Sequence, residues 1–251
     1  MLSPVKWHNY PYGQVYRIKT EVHPHPKYHY VVGGDSASGL PNRDKSAYQV
    51  LCLETHEQVA WFGEECPPNK FALELKKVAQ HYNNAVVGVE LDKYGYLTIN
   101  ILKDIYTNLY FHIQSPTAYG TAISKEYGWK ATSTNRQVAI DYLKMDFAAN
   151  ASENAAEQQS AIKIYDARTY EEMGFFIKDN ETGKEAAQKG KKDDLLAALW
   201  IANFLWHESQ IRFEFKEVDD TPKPLSIIEE MKVFRTQEQA IGKGFGPRKL
   251  V

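Results

Sequence analysis

Cysteine is scarce: the 251 residues hold only Cys52 and Cys66. Neither lies in a C-x-x-C pair or near a histidine at zinc-ligand spacing, so neither a disulfide framework nor a zinc site is supported, and a reducing compartment fits. Excess charge of one sign is also missing. Thirty Lys and Arg face 32 Asp and Glu, a formal net charge of −2, so an anionic partner has to be held by a local patch or through metal ions. Long apolar runs are absent. The most apolar stretch, Leu195 to Trp206, is interrupted by Asn203 and is too short to cross a bilayer. Met1-Leu2-Ser3-Pro4 carries neither the charged nor the apolar region of a signal peptide, and a soluble chain with no membrane partner is expected. No G-x-x-x-x-G-K-[ST] run occurs, because the glycine-rich, basic stretch from Gly242 to Lys249 has the wrong spacing to cradle phosphate. The remaining composition, 43% hydrophobic and 25% charged, excludes disorder throughout the chain.

The patterning that is present predicts an α/β domain. Residues 1–27, with Pro4, Pro11, Pro24 and Pro26, read as an N-terminal arm, and His23-Pro24-His25-Pro26 as an extended segment. Tyr28 to Val32 reads as a buried strand ending in Gly33-Gly34-Asp35. Ala47 to Leu53 and Gln58 to Phe62 form a hairpin about Glu54 to Glu57. After Pro67-Pro68-Asn69, a helix aligns Phe71, Leu75, Val78, Ala79 and Tyr82. Ala85 to Val89 is apolar throughout, as a buried parallel strand is, and ends in Glu90. A helix following Gly95, a strand over Leu109 to Ile113 and a helix capped by Thr132 or Ser133 come next. Asn150 to Gln159 reads as a loop, Ile162 to Tyr165 as a short strand and Asp179 to Gly183 as a hairpin turn. The apolar helix from Leu195 then has to pack on the sheet. The expected divisions are the arm over 1–27, a main α/β domain over 28–208, and a tail or docking segment over 209–251.

Three acidic positions fall at ends that this element order brings together: Asp35 after the first strand, Glu90 after the fourth, and Asp193-Asp194 before the last helix. Taken singly, a strand-end acid is a turn residue and Asp193 a helix cap. Jointly they form a carboxylate cluster, which stays ionised at neutral pH only with cations among its members. All-oxygen ligation suits Mg²⁺ or Mn²⁺, and two such ions suit phosphodiester hydrolysis. Adjacent helical residues diverge by roughly 100°. Asp194 is therefore the favoured ligand, with Asp193 either capping the helix or binding the second ion.

These residues resemble the nuclease domain of the large terminase subunit of tailed bacteriophages, an RNase H-like fold related to the RuvC resolvases. The resemblance spans roughly Tyr12 to His207. It rests on Tyr30-Val31-Val32-Gly33-Gly34-Asp35-Ser36-Ala37-Ser38-Gly39 with Asp44-Lys45-Ser46-Ala47, on Tyr82 to Glu90, on Gly95 with Tyr106 to Tyr110, on Gly128-Trp129 through Arg136, and on Asp193-Asp194-Leu195. It implies a mixed five-stranded sheet flanked by helices, with an extra hairpin. It also implies a two-metal endonuclease that cuts concatemeric viral DNA in the cytoplasm of an infected bacterium. By the resemblance Asp35, Glu90 and Asp194 are catalytic, Asp193 joins them in holding Mg²⁺ or Mn²⁺, and Asp44 is a supporting acid. Double-stranded DNA, the terminase ATPase domain, the small terminase subunit and the portal are the implied partners. Asp92 stands where the family often has Asn, and Lys192 where it often has His. Lys130, Arg136, Lys189, Lys191 and Lys192 form the basic groups expected to hold the phosphate backbone. The alternative readings are a RuvC-like junction resolvase or transposase-like nuclease, and a non-catalytic packaging or portal-docking module.

Overall fold

Alternation along two paired strands decides where the core lies. In the computed structural model, Val31 opposes Leu51 and Val32 opposes Val50, and successive residues face opposite sides of the sheet. Val31 and Leu51 enter one apolar cluster and Val32 and Val50 the other, so both faces are buried. The structure describes residues 2–4, 23–114, 124–158 and 160–214.

The elements are β1 (Leu2–Pro4), β2 (Tyr30–Asp35), β3 (Ser46–Cys52), β4 (Gln58–Glu64), α1 (Pro68–His81), β5 (Val86–Val89), α2 (Lys93–Ile105), β6 (Phe111–Gln114), β7 (Ser124–Tyr127), α3 (Ser133–Ala149), α4 (Ala155–Gln158), α5 (Ala167–Gly174), β8 (Phe176–Asp179), β9 (Glu185–Ala187) and α6 (Asp194–Glu214). The main sheet has the order β4-β3-β2-β5, antiparallel through β2, β3 and β4 and parallel between β2 and β5. It is a mixed sheet flanked by helices, as expected. Beyond β5 the fifth position is held by isolated parallel bridges, Val87 to Leu109 and Glu90 to Trp129, and the chain between them includes the separate ribbon β6-β7.

Several expected boundaries move. Ile162 to Tyr165 is no strand but a single bridge from Lys163 to Glu57. The expected loop over 150–159 contains α4, and α5 has no counterpart in the pattern read from sequence. The last helix continues to Glu214, past the expected domain end at 208. Leu2–Pro4, at the start of the expected arm, forms a strand on β8 of the predicted hairpin. Most of the arm, 5–22, and the tail from 215 lie outside the described residues.

Helix α6 lies close against β2. A Cβ on Gly33 would overlap the backbone at Ala198 and Ala202, so only glycine permits this approach. Around the contact, Leu196, Leu199, Ile201 and Leu205 are at most 1% exposed, each worth about 1.5–3 kcal/mol of burial. Gly33 lies two residues before Asp35 and Ala198 one helical turn after Asp194. The packing therefore brings the start of α6 level with the end of β2.

Candidate metal centre and active site

Asp35 is the last residue of β2. Glu90 follows β5, and its backbone N–H donates to the Gly34 carbonyl (2.9 Å), which extends the parallel register to the next acid. The chain after Glu90 is pinned twice. The Leu91 N–H donates to the Trp129 carbonyl at 2.8 Å, and Asp92 Oδ1 caps α2 by accepting from Tyr94 N and Gly95 N at 2.9 and 2.6 Å. A side chain on Gly95 would overlap the Glu90 carbonyl, so that glycine belongs to the same turn. Asp194 opens α6, is 7% exposed, and accepts at Oδ2 from the Lys45 N–H at 2.9 Å.

The electrostatics show which acids act on one another. Burial, then Glu90, Asp194, Asp92 and Asp193, push the Asp35 carboxyl well above the usual carboxylate range. Burial and Asp92 push Glu90 up to about 7, against the pull of Arg136. Burial also raises Asp194 to about 6, with Asp44 and Asp193 adding to it and the Lys45 N–H opposing. Asp193 is raised by burial and lowered by Arg136. The acids from four separate stretches of chain thus share one field. Among the described residues, no three His, Cys, Asp or Glu side chains are close enough as they stand to hold an ion together. The donor set is nevertheless all carboxylate oxygen, mutually repelling and partly desolvated, and it fits a hard divalent cation.

Three structures share this arrangement of strands and helices. The magnesium-bound large terminase nuclease from thermophilic phage G20c superposes with a TM-score of 0.53 at 18% identity, covering 72% of this chain and 84% of that one. Its cobalt-bound form gives 0.52 at 16%, with 72% and 84% covered, and the form with no metal named gives 0.50 at 17%, with 72% and 83% covered. The fold is that of a large terminase nuclease. No family model matches the sequence, and no curated protein matches it either.

On this terminase nuclease fold the basic residues divide into two groups. Lys189, Lys191 and Lys192 are exposed in the loop between β9 and α6. Lys192 forms an ion pair with Asp44, and Lys191 Nζ lies 3.7 Å from the Phe175 ring centroid. Lys130, also exposed, lies 3.7 Å from Glu126. Arg136 differs from these. Its Nη1 donates to the Glu185 carbonyl at 2.8 Å, its Nη2 lies 3.7 Å from Asp193 Oδ2, and its guanidinium packs 4.9 Å from the Trp200 ring. Sequence reading assigned Arg136 to DNA; in the structure its side chain is part-exposed and lies beside Asp193 as a counter-charge. Asp44 sits exposed at the rim, where its charge raises both Asp193 and Asp194.

Of the two departures from the family pattern, Asp92 keeps the capping that an Asn performs and adds a negative charge. Lys192 is engaged with Asp44. Glu172 was missed from sequence. Burial, then Asp194 and Asp193, raise its pKa to about 7, while the Leu196 N–H works the other way. It lies on the eight-residue α5, too short for helical periodicity to reveal.

Proposed function

We propose that this chain is a divalent-metal-dependent endonuclease that hydrolyses double-stranded DNA, cutting concatemeric viral DNA during packaging. The observation that carries the reading is the convergence of Asp35, Glu90, Asp193 and Asp194 into one partly buried carboxylate field on a terminase nuclease fold. Magnesium and cobalt are named with the G20c nuclease, and the donor set here favours two Mg²⁺ or Mn²⁺ ions. When bound, these ions supply Lewis-acid activation of water and charge neutralisation at the scissile phosphate.

The chain's own residues have distinct parts. Asp35, at the end of β2, with Glu90 after β5 and Asp194 at the start of α6, would hold the ions, and Asp193 would assist. Arg136 restrains Asp193 and offsets charge before cations arrive. Lys130, Lys189, Lys191 and Lys192 lie on exposed surface suited to backbone phosphates, which are held without sequence preference. The ATPase domain, small subunit and portal are the partners this reading implies, and an infected bacterial cytoplasm its setting.

Conversion of supercoiled plasmid to nicked and linear forms with Mn²⁺ or Mg²⁺, its loss in EDTA, and its loss in D35N are the expected results. Persistent supercoiled plasmid under all conditions would favour a docking module. Selective cleavage of four-way junctions would favour a resolvase.

A further inference from the structure

The first turn of an α-helix leaves N–H groups with no partner inside the helix, and a side chain just before it normally supplies the acceptor. Helix α6 opens on Asp193-Asp194, both suitable caps, yet among the described residues neither carboxylate accepts a first-turn N–H of α6. The Asp193 main-chain carbonyl accepts the first helical hydrogen bond from Ala197 N (2.6 Å), while its carboxylate lies 3.7 Å from Arg136. The Asp194 carboxylate takes the Lys45 N–H. The acceptor for α6 comes instead from another helix: Glu172 Oε2 accepts the Leu196 N–H at 2.8 Å.

Helix α5, which carries Glu172, is itself fixed by a buried polar chain. Gln49 Nε2, fully buried in β3, donates to the Leu195 carbonyl (3.2 Å) and to Thr169 Oγ1 (3.0 Å). Thr169 Oγ1 donates to Asp166 Oδ2 at 2.9 Å. Gln58 donates from Nε2 to Gln49 Oε1 (2.5 Å) and accepts at Oε1 from the Tyr165 and Asp166 N–H groups at 2.6 and 2.8 Å. Two strand glutamines therefore lock α5 in place, and α5 in turn holds the turn that presents both aspartates.

We propose that Glu172 is a positioning residue for the metal-binding aspartates: a helix cap supplied from α5 that releases the Asp193 and Asp194 carboxylates from capping α6. The proposal rests on the metal-dependent reading above. It also separates two properties of Glu172. The hydrogen-bond acceptor at Leu196 does the positioning, and the negative charge is dispensable, since it adds to the repulsion around Asp194.

The test uses the full chain. Mn²⁺ affinity is measured by calorimetry, plasmid cleavage is followed in parallel, and melting temperature without metal is recorded for E172A, E172M and E172Q. E172A is expected to weaken Mn²⁺ binding by about 10-fold or more, the range seen for residues that orient ligands, and to slow cleavage. E172Q keeps an acceptor oxygen and is expected to restore both. If E172A fails to fold, E172M fills the volume without an acceptor and carries the same comparison. Wild-type affinity in folded E172A or E172M overturns the proposal. So does an E172Q as impaired as E172A, because the charge would then matter rather than the acceptor. If the wild type binds Mn²⁺ but leaves DNA uncut, the nuclease reading fails while the positioning role is judged on affinity. If it binds no Mn²⁺, both fail.

Discussion

The two ends of α6 bury acids in opposite ways. At the N-terminal end, burial and mutual repulsion raise the pKa values of Asp35, Glu90, Asp193 and Asp194, with Arg136 opposing at Glu90 and Asp193 and the Lys45 N–H at Asp194. Three turns further on, Asp146 is fully buried but accepts at Oδ2 from Asn203 Nδ2 and faces His207 Nε2, both at 2.7 Å. Asn203 Oδ1 in turn meets His56 Nε2 (2.7 Å), whose Nδ1 lies 2.7 Å from the Ser160 carbonyl. His56 stacks on Trp206 at 3.8 Å, and His207 on Tyr142 at 4.2 Å. One stretch holds an acid gripped at Oδ2 by its neighbours in a packed core, its Oδ1 left without a partner among the described residues, and the other holds a group of acids that repel one another. A buried carboxylate gripped by donors maintains structure, whereas carboxylates that repel one another store free energy that a ligand can release.

Substitutions should therefore have opposite effects at the two ends. The largest change is expected in cleavage: D35N and D194N should each lower it on the order of 10³-fold or more, as removal of a central catalytic group does, while melting temperature at pH 8 holds or rises. A cleavage rate within experimental error of wild type would remove these residues from the mechanism. At the other end, D146A should leave the acid cluster intact and destabilise the fold by about 3–5 kcal/mol, because it strands Asn203 and His207. Thermal unfolding checks this, at about 2–4 °C per kcal/mol for a chain of this size. An unchanged melting temperature would erase the contrast.

The pH response comes next in size. Glu90 titrates near its ordinary value of 4.5 when unfolded and near 7 when folded, so between these values the folded state binds more protons. Stability without metal should then fall as pH rises from about 4.5 to 7. Added Mg²⁺ should restore it most at the alkaline end, and its affinity should climb through pH 6–7 with proton release. A flat melting profile in EDTA over that window would contradict the electrostatic picture. The smallest effect is expected for D92N. Asn caps α2 as well as Asp does, so folding should be nearly unchanged at pH 5, with a gain at pH 8 as one negative charge beside Glu90 and Asp35 disappears. Melting curves at the two pH values test it.

The positions of the acids were legible in the sequence because each ends or begins an element with strong periodicity. Val31-Val32 leads to Asp35, Val86 to Val89 leads to Glu90, and the apolar run from Leu195 follows Asp194. The helix cap at Thr132 was legible for the same reason, and its Oγ1 accepts the Asn135 N–H at 3.0 Å. What supports the cluster was not. Gln49 and Gln58 interrupt otherwise apolar strands, a local irregularity that signals buried polar partners without naming them. Glu172 and Arg136 act through contacts distant in sequence, and no spacing rule reports whether an arginine on a helix's first turn faces phosphate or an aspartate. The fifth strand was expected from Leu109 to Ile113. Its apolar pattern is real, but the chain there leaves the sheet after one bridge to pair with β7.

The closeness of α6 to Gly33 has a further consequence. With no side chain between helix and strand, the distance from Asp194 to Asp35 is a main-chain measurement, set by peptide groups that every sequence possesses. Side chains around the acids can then be exchanged over many generations without resetting the gap, provided that one position stays bare. Enlarging Gly33 by a single methyl group would act as a wedge, prying apart two carboxylates that it never touches.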